Sequence, residues 1–190
     1  MPYPRPDADF SLPRFVCVSH HGLRKGVDVL LYALARLRDR KIPFRATLVS
    51  GGVLLDRHRR LARELGLQDH VNLTGVVPLV EPFLDASDIF VLPSRSEQSG
   101  SLSLIEAMAS RLPAVASSCD GIPEDLEDGT SGLLVTPGSV DELAVALERM
   151  ATDPDLRVRL ALAARAQFEK RFSPAAFADD LSSAYAEAVQ

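Results

Sequence analysis

The 190-residue sequence has few cysteines, no excess of positive charge and no long apolar run. Its two cysteines, Cys17 and Cys119, show neither metal-ligand spacing nor a disulfide framework, which predicts a reducing, cytoplasmic location. The formal net charge of −5 gives no electrostatic footprint for nucleic acid or an anionic membrane. No apolar stretch reaches the roughly 18 residues of a membrane helix, and the first residues lack a signal pattern. Contact with a membrane is therefore expected to be peripheral at most.

The sequence also lacks the common pattern of a divalent-metal site. No Asp-x-Asp follows an apolar strand, and histidines and aspartates do not cluster as ligands. We therefore predict neither a metal site nor a cofactor.

Short apolar runs alternate with amphipathic stretches along most of the chain. Strands are predicted at Phe15–Val18, Arg45–Ser50, Val71–Leu73, Ile89–Leu92, Ala114–Ala116 and Leu133–Val135. Helices are predicted between most of them, and Gly66 is expected to close one of these helices in the left-handed conformation. This alternation predicts an α/β fold, a doubly wound, Rossmann-like parallel sheet that binds ligands beyond the carboxyl ends of its strands.

The two ends of the chain differ from this pattern. Residues 1–13 are rich in proline and polar residues, which predicts a linker or arm, and residues 14–190 are predicted to form one domain. From Val140 the chain is rich in alanine and leucine and is predicted to be helical in three pieces. The breaks are expected at Asp153-Pro154 and Ser173-Pro174, because proline suits a first helical turn and not an interior.

The segment Pro93–Ala109 places two carboxylates, Glu97 and Glu106, around a Gly/Ser-rich turn from a strand to a helix. Free N–H groups at such a helix start, together with the helix dipole, can bind an anion. An ordinary capped helix with a solvated Glu97 is the alternative interpretation of this segment alone.

With its surroundings, this segment resembles the donor side of retaining family 4 glycosyltransferases of the GT-B fold. That family shows Pro-Ser-x-x-Glu, a glycine loop and then Glu-Ala-Met-Ala. Further motifs match the family in its order along the chain, on both sides of this segment. They are Lys25–Asp28, Val71–Val77, Ala86–Ser94, Leu112–Ser117, Gly121–Glu124 and Asp128–Val135. The resemblance covers roughly Phe15 to Val189. It implies one half of a GT-B fold, a nucleotide-sugar (donor) binding domain at residues 14–190 that includes C-terminal crossover helices.

The resemblance also implies roles for individual residues. Lys25 would contact the diphosphate, and Glu106 would accept hydrogen bonds from both ribose hydroxyls, as the two oxygens of a carboxylate can. The backbone at Gly75 and Val76 would hold the edge of the base. His20 stands where the family has an arginine, which removes a permanent positive charge from the diphosphate site. Arg24 would replace that positive charge if its side chain reached inward, although the residue at its position in the family commonly points to solvent.

The loop before the helix carries the remaining predicted contacts. Backbone amides of this loop would touch the sugar and the diphosphate, at Gly100, Ser101, Leu102 and Ser103. Glu97 would position the sugar or act electrostatically. The family has seven residues between its two glutamates and this chain has eight, so Gln98 is the alternative occupant of the first glutamate position.

These features predict the donor domain of a metal-independent, retaining hexosyltransferase of carbohydrate biosynthesis. It would transfer a sugar from a nucleoside diphosphate sugar to an acceptor. The family builds its acceptor site largely from an amino-terminal domain, so this chain would need such a domain or a partner subunit and is expected to be inactive alone. The chain would then be either a fragment of such an enzyme or one subunit of a split enzyme. The alternatives are a non-catalytic nucleotide-binding or scaffold protein and another GT-B enzyme, such as an epimerase or phosphorylase.

Overall fold

The predicted apolar runs form six strands of one sheet in a computed structural model. The structure describes residues 11–188, apart from the side chains of residues 179, 180, 183 and 186–188. The strands are β1 (Arg14–Val18), β2 (Arg45–Val49), β3 (Val71–Gly75), β4 (Ile89–Leu92), β5 (Ala114–Ser117) and β6 (Gly132–Val135). All six strand predictions are confirmed. The first ten residues of the predicted arm lie outside the described residues.

The strands are parallel and lie in the order β3-β2-β1-β4-β5-β6. Phe15 in β1 pairs with Ala46 on one side and with Ile89 on the other. The chain thus winds outward in one direction through β1–β3 and in the other through β4–β6. This is the doubly wound topology that the sequence predicts, and its crevice lies at the carboxyl ends of β1 and β4.

The helices fill the connections and the C-terminal part of the chain. A short 3₁₀ helix covers Leu23–Lys25. The α-helices are α1 (Val27–Asp39), α2 (Leu55–Glu64), α3 (Glu81–Asp85), α4 (Leu102–Ala109), α5 (Ile122–Asp125), α6 (Val140–Thr152), α7 (Pro154–Arg171) and α8 (Pro174–Ala188). The two predicted proline breaks are confirmed, and Gly66 follows α2 at φ +63° as expected.

Each face of the sheet carries its own apolar core because strand side chains alternate between faces. On one face, side chains such as Phe15, Cys17 and Val91 pack against α1 and α6. On the other face, Phe90 and Leu92 pack against α4. The sheet is therefore buried on both sides, and its edges and strand ends remain for binding.

Helix α7 contributes to both cores, whereas no described side chain of α8 belongs to either. Leu156 and Leu160 of α7 belong to the core formed with α1 and α6, and Ala164 belongs to the other. In α8, Phe177 is 65% exposed and Tyr185 is 67% exposed. The apolar side of α8 is thus uncovered within the described part of the chain. Among residues 11–188, no helix has the length and apolar character to cross a membrane.

Candidate functional site

The residues predicted to bind the donor lie together at the carboxyl edge of the sheet. They are supplied by the connection after β1, the end of β3, and the connection from β4 into α4. The set comprises His20, Lys25, Gly75, Val76, Glu97, Gly100, Ser101, Leu102, Ser103 and Glu106. Lys25 follows β1 and Glu97 follows β4, 72 residues later in the sequence. The fold brings these two side chains into contact at the crevice between the two strands.

Lys25 and Glu97 form the central ion pair of the site. The Lys25 Nζ atom donates to Glu97 Oε1 at 2.7 Å and to Oε2 at 2.6 Å. The Ser94 hydroxyl also donates to Glu97 Oε1. The Glu97 residue is only 8% exposed. Its carboxylate therefore faces inward, toward Lys25 and Ser94.

The backbones of the two connections also approach each other closely. Gly26 has φ +62°, and a Cβ atom there would lie 2.0 Å from the Pro93 carbonyl oxygen. The Arg95 amide donates to the Arg24 carbonyl at 2.7 Å. The Arg95 guanidinium donates to both oxygens of Asp28, each at 2.8 Å, and this lowers the pKa of Asp28. These contacts hold the start of α1 against the loop that carries Glu97.

A second carboxylate, Asp120, holds the turn at Glu97 and Gln98. The amides of both residues donate to Asp120 Oδ2, from Gln98 at 3.1 Å. These two backbone hydrogen bonds, that from Glu97 first, lower the pKa of Asp120. Gln98 is exposed and has φ +74°. The turn thus directs the Glu97 side chain inward and leaves Gln98 facing solvent.

The start of α4 provides a backbone surface next to this turn. Ser101 is the N-cap residue, and its hydroxyl lies 3.1 Å from that of Ser103. Leu102 is 72% exposed. A Cβ atom on Gly100 would lie 2.3 Å from Asp125 Oδ2, so a larger residue there requires the Asp125 side chain to move. The loop therefore brings its backbone close to its neighbours and presents small polar groups at the helix start.

Glu106 lies on the solvent-exposed side of α4, one turn after the helix start. Partial burial and then the charge of Glu81 raise the pKa of its carboxyl group. Glu81 begins α3 in the connection after β3. Glu106 thus faces the side of the crevice where the β3 connection lies.

The connections after β1, β2 and β3 form the other side of the crevice. Gly75 ends β3 at φ +79°, and the exposed Val76 side chain packs beside Gly51, where a Cβ atom would meet it at 2.6 Å. His20 is exposed, and its ring lies against Gly22 and Gly52. His20 therefore lies toward the β2 connection, while Lys25 lies toward the β4 connection.

Two buried histidines support this side of the crevice. The Nδ1 atoms of His21 and His58 are 2.9 Å apart, so one ring donates and the other accepts. Burial is the main cause that lowers the pKa of His21, to about 4, and it also lowers the pKa of His58. Both rings are thus neutral at neutral pH, which suits a single shared proton between them.

Several residues of the site were not singled out from the sequence. Ser94 lies three residues before Glu97 in the Pro-Ser-x-x-Glu motif, and that spacing is its only sequence signal. Asp120 directly precedes the matching motif Gly121–Glu124, and this position does not indicate its role. Asp125 and Glu81 carry no local signal. Residues 11–188 contain no group of three or more histidine, cysteine, aspartate or glutamate side chains that could hold a metal ion.

A six-stranded, parallel, doubly wound sheet with a crevice at its strand ends defines the class of Rossmann-like α/β domains. Comparison with known proteins identifies the family. The model of the family Glycosyl transferases group 1 matches residues 12–153. The chain belongs to this family.

Two relatives show how far the likeness extends. A GDP-mannose-dependent α-(1-6)-phosphatidylinositol monomannoside mannosyltransferase of Mycobacterium tuberculosis is 35% identical over 161 residues, which are 80% of this chain and 42% of the relative. An α-D-kanosaminyltransferase of Streptomyces kanamyceticus is 32% identical over 92% of this chain and 46% of its own. The chain thus spans less than half the length of these relatives.

Solved structures agree with the family assignment. Anabaena HepE in complex with UDP superposes with a TM-score of 0.85 over 93% of this chain and 49% of its own, at 23% identity. This likeness concerns the fold. A sucrose-phosphate synthase of Thermosynechococcus elongatus gives a TM-score of 0.82 at 27% identity, over 96% of this chain and 47% of its own.

Proposed function

We propose that this chain is the donor-binding half of a retaining, metal-independent glycosyltransferase that uses a nucleoside diphosphate sugar. The observation that carries the proposal is the assembly of Lys25, Glu97 and the α4 start at the crevice of a domain from this family. Sugar transfer leaves negative charge on the departing diphosphate, which cations and helix amides can stabilise.

The donor would lie along the crevice from β3 toward β5. The backbone at Gly75 and Val76 would hold the base, and Glu106 would accept the ribose hydroxyls. Its exposure supports this role, because a carboxylate on the open side of α4 is free to accept two donors. The amides at Ser101 to Ser103 would bind the diphosphate. The sugar would lie beyond them, beside the Glu97–Gln98 turn and Asp120.

Glu97 would act on the sugar only indirectly in this arrangement. Its carboxylate is held by Lys25 and Ser94, and Gln98 is the exposed side chain of the turn. We infer that Glu97 positions Lys25 and that Gln98 faces the sugar. The acceptor site and the remaining catalytic groups would come from an amino-terminal domain or a partner subunit, consistent with the share of the relatives that this chain spans.

Thermal unfolding with UDP, GDP and ADP tests the proposal on the 190-residue chain. At a hundredfold excess over the dissociation constant, a ligand stabilises by about 2.7 kcal/mol, a shift of roughly 5–11 °C for this size. One nucleotide should give this shift, Glu106→Ala should remove it, and chelation of metal ions should not. Glu127→Ala, which removes an exposed carboxylate outside the crevice, is the control. No shift with any nucleotide would contradict the proposal.

A non-catalytic nucleotide-binding or scaffold protein is the second candidate. The neutralised Lys25 and the histidine at position 20 favour it, because both weaken the positive charge available to a diphosphate. Reconstitution with an amino-terminal domain of the family separates the two functions. Release of nucleoside diphosphate together with a glycosylated acceptor supports the transferase, and retention follows from the anomeric configuration of that product.

A further inference from the structure

The positive charges on the crevice loops differ in whether they are already neutralised. Three cationic side chains, Arg24, Lys25 and Arg95, lie on the connections after β1 and β4. Lys25 is paired with Glu97, and Arg95 is paired with Asp28 through two hydrogen bonds. Within residues 11–188, no carboxylate lies within ion-pair distance of Arg24. Arg24 therefore carries the unneutralised positive charge of these loops.

The position of Arg24 is fixed by its backbone and its side chain together. Its carbonyl oxygen accepts from the Arg95 amide at 2.7 Å. Its Nη1 atom donates to the Ser96 carbonyl at 3.0 Å. Lys25 reaches Glu97, the next residue of the same loop. The Arg24 guanidinium thus lies one residue from the central ion pair, with further N–H donors available to a ligand.

Asp120 is close enough for the charge of Arg24 to affect it, but its carboxylate is hydrogen-bonded elsewhere. Its Oδ2 atom accepts from the Glu97 and Gln98 amides. These two hydrogen bonds are the main causes that lower the pKa of Asp120, and the charge of Arg24 adds to them. The carboxylate thus stabilises the turn without forming an ion pair with the guanidinium.

We propose that Arg24 binds the diphosphate of the donor and supplies the permanent positive charge that His20 does not. This inference rests on the proposed function. A guanidinium is always charged and presents forked donors that match two phosphate oxygens. Lys25, held by Glu97, would contribute position more than net charge.

Calorimetric titration of the 190-residue chain with uridine, UMP and UDP, and with the guanosine series, tests the assignment. Arg24→Gln should weaken diphosphate binding about tenfold or more and leave nucleoside binding unchanged, because charge-assisted bonds to phosphate are lost. Arg24→Lys, which keeps the charge but loses the forked donors, should recover only part of the diphosphate affinity that Arg24→Gln loses. Arg63→Gln is the control, since Arg63 is exposed in the last turn of α2, at the end of that helix opposite the crevice.

The possible outcomes separate this assignment from the proposed function. If the wild-type chain binds no nucleoside diphosphate, both are wrong. If the wild type binds and Arg24→Gln binds equally well, only the role of Arg24 is wrong. A parallel loss of nucleoside and diphosphate affinity in Arg24→Gln would indicate a structural effect and also overturn the role. A diphosphate affinity of Arg24→Lys no higher than that of Arg24→Gln would contradict a role based on charge.

Discussion

At the scale of single residues, the Lys25–Glu97 pair limits how strongly the isolated chain can attract an anion. Both Glu97 oxygens accept from Lys25 at 2.6–2.7 Å, and the carboxylate is nearly buried. A diphosphate must compete with this internal partner for the ammonium group. Affinity for the nucleotide and the position of Lys25 are therefore coupled through Glu97.

Removing the charge of Glu97 should strengthen nucleotide binding. In Glu97→Gln, Lys25 loses its counter-charge, so we expect about tenfold tighter binding of the preferred nucleoside diphosphate, equivalent to about 1.4 kcal/mol. Titration calorimetry at low salt measures the change. Glu127→Gln removes the same charge outside the crevice and should have little effect. Weaker binding in Glu97→Gln would show that the carboxylate assists the ligand instead.

The buried pair of His21 and His58 predicts a dependence of stability on pH. The pKa of His21 is lowered to about 4 in the folded chain, whereas an unfolded histidine titrates near 6.5. Between pH 6.5 and about 4 the unfolded state thus binds more protons than the folded state. The contribution of neutral His21 to the free energy of unfolding is therefore fully present above pH 6.5 and is lost as the pH falls toward 4. One histidine contributes a slope of up to about 1.4 kcal/mol per pH unit.

Urea unfolding at several pH values between 4 and 7.5 tests this dependence. Carboxylates contribute to the slope as well, so the difference between wild type and His21→Gln is the relevant quantity. His20→Gln, at an exposed histidine, should keep the wild-type slope. Equal slopes in wild type and His21→Gln would contradict the assignment of a lowered pKa.

At the scale of secondary-structure elements, the junction between the 3₁₀ helix and α1 depends on a residue without a side chain. Gly26→Ala should destabilise the chain by more than about 3 kcal/mol, because it adds a clash with the Pro93 carbonyl to the strain of positive φ. Gly129→Ala is the matched control, with φ +70° and no neighbour within 4 Å. It should cost only about 1 kcal/mol. Equal free energies of unfolding for the two variants would contradict the clash.

The elements were predictable from the sequence because each has a local cause. Apolar runs such as Ile89–Leu92 define strands, and Pro154 and Gly66 mark helix ends by their backbone preferences. The direction of the Glu97 side chain has no such cause. It depends on Lys25, 72 residues earlier, and on Asp120, 23 residues later. The positive φ of Gln98 also depends on that second contact, so the local pattern left Glu97 and Gln98 as alternatives.

At the scale of the whole molecule, the last two helices contribute unequally to the fold. Leu156, Leu160 and Arg157 of α7 are buried, and the Arg157 guanidinium donates to the carbonyls of Met150 and Ala151. Phe177 and Tyr185 of α8 are exposed. Helix α7 therefore belongs to the domain core, whereas the described side chains of α8 lie outside it.

Truncation should separate these two contributions. Ending the chain after Ser173 should change the urea midpoint little, because the described large apolar side chains of α8, Phe177, Leu181 and Tyr185, are exposed. Ending it after Asp153 should prevent folding, because both apolar cores lose buried side chains. Circular dichroism and urea unfolding provide the readout. A large loss of stability in the shorter deletion would show that α8 is part of the core.

The pairing of β1 with β4 has a consequence for how the chain acquires its structure during synthesis. Phe15 and Ile89 are direct neighbours although 74 positions separate them, whereas β1, β2 and β3 follow one another closely. The first three strands can thus associate on a nascent chain before β4 has emerged, since long-range closure is slower. Lys25 then has no ion-pair contact with Glu97 until the segment after β4 has been synthesised. A fluorophore pair placed beside these two residues would report the moment at which the two halves of the sheet join.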